Sequence, residues 1–461
     1  MSGPSTEGLT RRVAAEASGV DAAKLSGQVQ QQARRLLADT VGVLLAASVT
    51  PAVQSAIVAV GRDSGTSATI VGHAQRASAD AAALINGIGG HNIELDDLHA
   101  SSRTHPATVL VPAALAAAEL DHRRTFGDLI AALVAGYDVM ARLSKALGPS
   151  KLYDHGFHPS ALTGTIGAAV CAGRVLGLDA ERIHACIALA ASQCSGLLTY
   201  YGDPFHLQKS FQTGMAARNG VTAARFAKAG YCATPDVLAG RRSVLEVFGR
   251  EHADPGRLTA TTEHEIMSTT LKRHACCALT HSAVDALWHV LDANLIDADR
   301  IQTITVQLPN DAKDSVDGNP LWTHNIQYVL AVAAGHRQIV LEHFTAEWTD
   351  RPAVRELAGR VTVEASDELQ SRFPEQNGAV VTVTTADGSF SRQQNSPIGS
   401  PEEPMGEGQV AEKFRQLCCT VLNPSDSESL WKEIMHTPLD DPAYPFVSKL
   451  AATPDPVRSA S

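Results

Sequence analysis

Histidine and lysine side chains at the starts of helices are equipped to hold carboxylates and to move protons. A helix N-terminus presents unpaired N–H groups and the positive end of the helix dipole. Three segments of the chain have this form. In GGHNIELDDLHASSRTHPATVLVP, His105 directly precedes Pro106, which can open the following helix, and Glu94, Asp96, Asp97 and His99 stand just upstream. In DHGFHPSALTGTIGAA, His158 again precedes a proline and Gly156 supplies the turn. In DPFHLQKSFQTGMAARNG, Lys209 and Ser210 begin a helix with Gly214 in its early turns. A helix N-terminus disfavours imidazolium, so His105 and His158 can stay neutral near pH 7 and act as bases, while Lys209 carries a fixed charge. A carboxylate ligand suits such a pocket. Taken singly, each His-Pro is also an ordinary turn element; it is the repetition that points to chemistry.

A fourth segment, LKRHACCALTHSAVDA, places Lys272, Arg273, His274, Cys276, Cys277 and His281 together. Adjacent cysteines chelate a tetrahedral ion poorly, and no CxxC or HxxxH completes a zinc set, so no metal is expected here. Lys272 and His281 are read as facing substrate and the thiols as buried. A fifth segment, THNIQYVLAVAAG, puts Tyr328 one turn inside a helix, where its phenol can bond a substrate or close the core. No GxGxxG after a strand, P-loop, GxSxG or HExxH is present, which leaves nucleotide, serine-hydrolase and zincin chemistries without a motif.

These residues need a scaffold, and 461 residues with 44% apolar and 19% charged side chains can form a large buried core. From about Val29 to Arg250, apolar residues recur at helical spacing. The helices expected are Val29–Ser48, Ala81–Leu95, Pro106–Leu120, Thr125–Leu147, Ser160–Leu176, Asp179–Leu198 and Ser210–Ala229. After about Thr270 the pattern changes. Ile301–Leu308, Val361–Ala365 and Ala379–Thr385 read as strands, Asp387-Gly388 as a hairpin turn, and Ser282–Leu291, Asn325–Ala334 and Arg351–Gly359 as helices. A Pro/Gly/acidic linker from Ser396 to Gly408 leads to the helices Gln409–Thr420 and Ser427–His436. The fold class is therefore mainly α: a helical domain over 1–268, an inserted smaller α+β lid over 269–397, and helices over 398–461 that rejoin the first body. Pro454–Ser461 reads as a disordered tail.

Composition narrows the partners. The formal charge is −11 with no Lys/Arg-rich block, which disfavours nucleic acid. The N-terminus lacks the apolar core of a secretory signal, and no apolar run reaches the length of a membrane span. Eight cysteines, two pairs of them adjacent, suit reduced thiols, so a cytoplasmic location is expected.

Together the segments Glu94–Pro106, Gly156–Ala169, Leu178–Leu198, Leu207–Gly220 and Lys272–Leu287 resemble the MmgE/PrpD family, in order and spacing, over most of the chain. The resemblance implies a helical body with an inserted lid and a homodimer. It also implies action on small di- or tricarboxylates without metal or organic cofactor, as in 2-methylcitrate dehydratase, cis-aconitate decarboxylase and iminodisuccinate epimerase. Carried over by motif, Lys209, His158, His105 and Tyr328 match the family's active-site Lys, two His and Tyr, and His281 its lid-domain His. Two departures stand out. The chain reads ELDDL where the family often reads DFDDT or DFDDS, so Glu94 replaces an Asp and Leu98 a hydroxyl residue, and Gln212-Thr213 stand where many members have His-Pro. The expected function is a cofactor-independent lyase, a dehydratase or decarboxylase. Lys209 and His158 would clamp carboxylates, His105 exchange the carbon proton, Tyr328 or His281 assist the leaving group, Glu94, Asp96, Asp97 and Lys272 contact substrate, and Asp96 or Asp97 orient a histidine. An isomerase or epimerase using the same site, or a non-catalytic carboxylate-binding homologue, are the alternatives.

Overall fold

Side chains that close the first turn explain where several helices begin. Ser26 accepts the Val29 amide ahead of the helix Gly27–Ala47, Asp179 accepts from Arg182 ahead of Ala180–Ala191, and Thr125 and Asp128 form a reciprocal box ahead of Phe126–Leu147. Each satisfies an N–H that the helix leaves unpaired. Pro159 brings the fixed φ of a first helical position, so the helix Pro159–Val175 starts directly after His158. The computed structural model describes residues 8–61, 65–203, 207–259 and 263–451, and the tail Pro454–Ser461 lies outside them. The fold is mainly helical with few small sheets. No single helix among the described residues is long and apolar enough to cross a membrane.

The chain forms two compact units. The first takes in the described residues of Met1–Asn92, Ser102–Thr269 and Gly406–Ser461, and the second Ile93–Ser101 with Thr270–Met405. The divisions after Thr269 and Met405 compare with the expected 268 and 397. In addition the acidic stretch Ile93–Ser101 belongs to the second unit.

In the first unit the helix Ala107–Ala118 is buried along its whole length. The helices Ala79–Asn92, Pro159–Val175 and Leu207–Lys228 pack on it, and Phe126–Leu147 packs against Pro159–Val175. Where Ala79–Asn92 crosses Leu207–Lys228, Gly87 faces Gly214. A Cβ on Gly87 would stand 2.7 Å from the Gly214 Cα, and one on Gly214 would stand 2.6 Å from the Leu84 carbonyl oxygen. Only hydrogens fit there, so the two backbones meet closely. About a turn from the crossing, the two helices carry His91 and Lys209. The C-terminal helices Glu407–Cys418 and Pro424–His436 are tied to Gly27–Ala47, with Lys413 Nζ 2.7 Å from Asp39 and Arg34 donating to the Ile434 and Thr437 carbonyls at 2.8 and 2.6 Å. A further helix, Ala443–Lys449, was not expected from periodicity.

One helix is shorter than its pattern. Asp179–Leu198 was expected, but the helix ends at Ala191. The following residues run back to bridge Leu197 with Phe157, His158 N donates to Gly196 O at 3.1 Å, and Leu198 N donates to Gly156 O at 2.9 Å. Gly196 holds φ +136° in contact with Ala161 and His158, where a Cβ would come within 2.8 Å of the Ala161 Cβ. Tertiary pairing with the His158 turn outweighs the helical preference of this stretch.

In the second unit a four-stranded sheet has the order Val361–Ala365, Thr303–Leu308, Ala379–Thr385, Gly388–Gln394. The first pair is parallel with Ile304 opposite Val361, and the other pairs are antiparallel, with Val306 opposite Val381 and the hairpin turning at Gly388. Ile304, Val306, Leu308, Val381 and Val383 are buried in one core with the helices His281–Ala293 and Ile326–His336. The strands Asp97–His99 and Thr269–Leu271, and the pair Ala68–Thr69 with Arg76–Ala77, are too short to leave a period in the sequence.

Candidate active site

The turn before Pro159 sets the ring of His158 in place. His158 is the N-cap residue of its helix with extended backbone, and it is 1% exposed. Its Nδ1 lies 3.0 Å from Gln212 Oε1, while Gln212 Nε2 donates to the Leu197 carbonyl at 2.9 Å. A carbonyl can only accept, so the amide must face Leu197 with its nitrogen and His158 with its oxygen. His158 therefore donates from Nδ1, and its neutral ring keeps the lone pair on Nε2. Tyr200 meets the ring edge-on at 5.0 Å.

Burial pushes the His158 pKa well below the ordinary imidazole value, and the nearby His91, Lys209 and His105 push the same way against the opposing bond to Gln212. Lys209, 5% exposed in the first turns of Leu207–Lys228, is the ammonium among these groups. His105 is anchored through its backbone: its N–H donates to Ser160 Oγ at 3.1 Å and its carbonyl accepts from Thr108 Oγ1 at 2.8 Å. Its ring is tilted against that of His91 at 4.7 Å, and His91 stacks on His158 at 6.0 Å with the planes 11° apart. Three imidazoles and one ammonium thus gather in the first unit beside the start of the Pro159–Val175 helix. Such a cluster favours an anionic ligand and supplies a neutral base next to it.

The remaining candidates lie in the second unit. Lys272 is fully buried, with Nζ 2.9 Å from Asp96 and 3.1 Å from Glu94. Burial alone would weaken its hold on the proton, but the Asp96 and Glu94 carboxylates outweigh that and raise its pKa. Glu94 takes a left-handed φ of 54°, a conformation uncommon outside glycine. Asp97, also buried, opens the strand Asp97–His99. His281 starts the helix His281–Ala293 with Nε2 3.2 Å from the Cys276 carbonyl, and its ring meets His274 at 4.9 Å. His274 in turn contacts Asp285 at 3.1 Å, and Asp285 accepts the Ile398 N–H. Tyr328 is 1% exposed, packed by Trp322 and Phe344, and its hydroxyl donates to the His343 carbonyl. Burial raises that phenol to about 12. Cys276 and Cys277 are buried, and burial raises the Cys276 thiol.

Of the residues expected from sequence, His105, His158 and Lys209 come together in the first unit, and Glu94, Asp96 and Lys272 come together in the second. Two further contributors, His91 and Asp285, were not singled out, and Gln212 stood out only as a departure from the family pattern. His91 had a faint signal, a histidine ending a Gly/Ala-rich helix. The departure at Gln212 gave no hint of its partner, because His158 is 54 residues away.

Comparison with known proteins adds the lineage. The MmgE/PrpD N-terminal domain matches residues 11–255 and the MmgE/PrpD C-terminal domain residues 274–438. The chain belongs to the MmgE/PrpD family. Similar curated members include the cis-aconitate decarboxylase of Aspergillus terreus, 28% identical over 77% of this chain and 78% of that protein. The cis-aconitate decarboxylase-like protein oryM of Aspergillus oryzae is 28% identical over 88% of this chain and 89% of its own. The human cis-aconitate decarboxylase is 26% identical over 92% and 90%. Within the MmgE/PrpD N-terminal match lie His91, His105, His158, Lys209 and Gln212, and within the C-terminal match lie His281 and Tyr328.

Proposed function

We propose that this chain is a lyase that removes carbon dioxide or water from a small di- or tricarboxylate by proton transfer at the carbon next to a carboxylate. The observation that carries the proposal is the state of His158, a buried neutral imidazole with Nδ1 engaged by Gln212, its lone pair on Nε2, and the Lys209 ammonium nearby. The names of its curated relatives, cis-aconitate decarboxylases, support the decarboxylase class.

In a decarboxylation the bond from carbon to the departing carboxylate breaks, its electron pair stays on carbon, and a proton fills the vacated position. In a dehydration the base takes the carbon proton and the hydroxyl leaves with a second proton. Both need a cation on a retained carboxylate and a proton carrier at carbon. Lys209 is the anion anchor in this proposal. The sequence-level expectation paired His158 with Lys209 as a clamp, but an imidazole that resists protonation holds an anion weakly, so the geometry favours His158 as a proton carrier alongside His105. The family resemblance adds His281 and Tyr328 to the reaction, a lid role for the second unit, a homodimer, and turnover without metal or organic cofactor.

The test is proton NMR in deuterated buffer with cis-aconitate, 2-methylcitrate, citrate and iminodisuccinate, using His158→Gln as control. Loss of carbon dioxide or water that depends on His158 and survives chelator treatment is expected. Deuterium entering unreacted substrate with no group lost would replace the lyase by an epimerase. Carboxylate binding without any turnover would make the chain a binding homologue. Light scattering tests the dimer, and small-angle scattering with and without a tight ligand tests the lid.

A further inference from the structure

His91 has no part in the reaction as drawn so far, yet it stands against both proton carriers. It ends the helix Ala79–Asn92 and is fully buried. Its ring lies 4.7 Å from that of His105 and 6.0 Å from that of His158, nearly parallel to the latter. The carbonyl end of a helix stabilises a cation, whereas the start of Pro159–Val175 opposes one on His158. Two stacked imidazoles at opposite helix poles are therefore unequal partners for a proton. The groups facing His158 within the first unit are His91 from Ala79–Asn92, Lys209 and Gln212 from Leu207–Lys228, His105 from the turn before Ala107–Ala118, and Tyr200 from the turn Leu198–Gly202. Two charges on neighbouring rings beside an ammonium repel, so a proton on His91 disfavours one on His158.

We propose that His91 is a positioning residue: the imidazole that takes up a proton before His158 does and, by its charge beside that ring, keeps His158 uncharged as the base. His91 acts through His158 and needs no contact with substrate. This assignment rests on the reading of His158 as the base, while its direct test reads protonation with no substrate present.

The experiment is an NMR titration of the full-length protein with isotope-labelled histidine, the His158 signals being identified by their loss in His158→Gln. In the unaltered protein His91 is expected to take up a proton at higher pH than His158. In His91→Phe, which keeps a ring and removes the charge, and in His91→Asn, the His158 midpoint is expected to rise by at least about one pH unit. A His158 that protonates before His91 in the unaltered protein overturns the proposal whether or not either variant folds. An unchanged His158 midpoint in a folded variant overturns it as well. In the rate profile, the acid limb of kcat/KM should move to higher pH in the variants with KM little altered, a change that loss of packing alone would not produce. Absence of turnover in the unaltered protein would instead count against the lyase reading and leave the titration result standing.

Discussion

His158 Nδ1 and Gln212 Oε1 lie 3.0 Å apart, and the other end of the Gln212 amide is held by the Leu197 carbonyl. The three residues come from a helix start, a helix and a connecting turn, yet together they settle which nitrogen of the imidazole holds the proton. Gln212→Leu removes the acceptor and frees the ring to change tautomer, so kcat is expected to fall by about tenfold to hundredfold with the fold intact. Gln212→Glu puts a carboxylate beside Nδ1 and stabilises imidazolium. The His158 pKa should rise by about 1–3 units, and the acid limb of the rate profile should follow it upward. Steady-state kinetics across pH check both.

Lys209 is the fixed charge of the cluster. Lys209→Met is expected to lower kcat/KM by roughly 10²–10³, mainly through a weaker hold on the substrate carboxylate, and to make His158 easier to protonate. Lys209→Arg should retain part of the binding. Carboxylate titrations followed by calorimetry separate the binding loss from any loss in rate.

The Lys272 ammonium pairs with the Glu94 and Asp96 carboxylates at 3.1 and 2.9 Å, and all three residues are buried. Lys272→Met leaves two carboxylates close together without that cation. A loss of about 3–5 kcal/mol in stability is expected, read from urea unfolding. The double replacement Glu94→Gln with Asp96→Asn in the Lys272→Met background should recover part of that loss.

The helix crossing at Gly87 and Gly214 is a packing device that also sets the site. Gly214→Ala drives a methyl into the Leu84 carbonyl and Ile88. Separation of the two helices should cost about 1–3 kcal/mol and disturb the placement of His91 and Lys209 together. Thermal unfolding and activity should fall in the same variant, whereas Gly27→Ala, where nothing lies within 4 Å, should change neither.

Acid should weaken the fold through its buried histidines. Burial, helped by His336, lowers the His343 pKa to about 4, and its Nδ1 accepts the Val340 N–H, which an imidazolium could not do. His158 is lowered in the same direction. The unfolded chain protonates near the ordinary value of 6.5, so below that pH it binds more protons than the native state. The stability tied to these neutral rings is complete above about pH 6.5 and falls away as the pH drops towards 4. Urea midpoints at pH 7 and pH 5 should show the decline, and His343→Phe should make it shallower.

The sequence by itself determined the local framework: the helical periodicity of the first body, the strands Val361–Ala365 and Ala379–Thr385, and the proline that places His158 at a helix start. Lys209 in the first turns of its helix was legible for the same reason. Caps, fixed φ values and periods of 2 or 3.6 are written within a few consecutive residues. Tertiary structure alone decided that Gln212 orients His158, that His91 stands against two other imidazoles, and that Lys272 meets carboxylates about 176 and 178 positions away. It also cut the helix after Asp179 short at Ala191 so that Gly196 could reach the His158 turn. Those contacts depend on how closely helices can approach, as at Gly87 and Gly214, and on charges brought together from distant segments. Neither leaves a periodic trace along the chain.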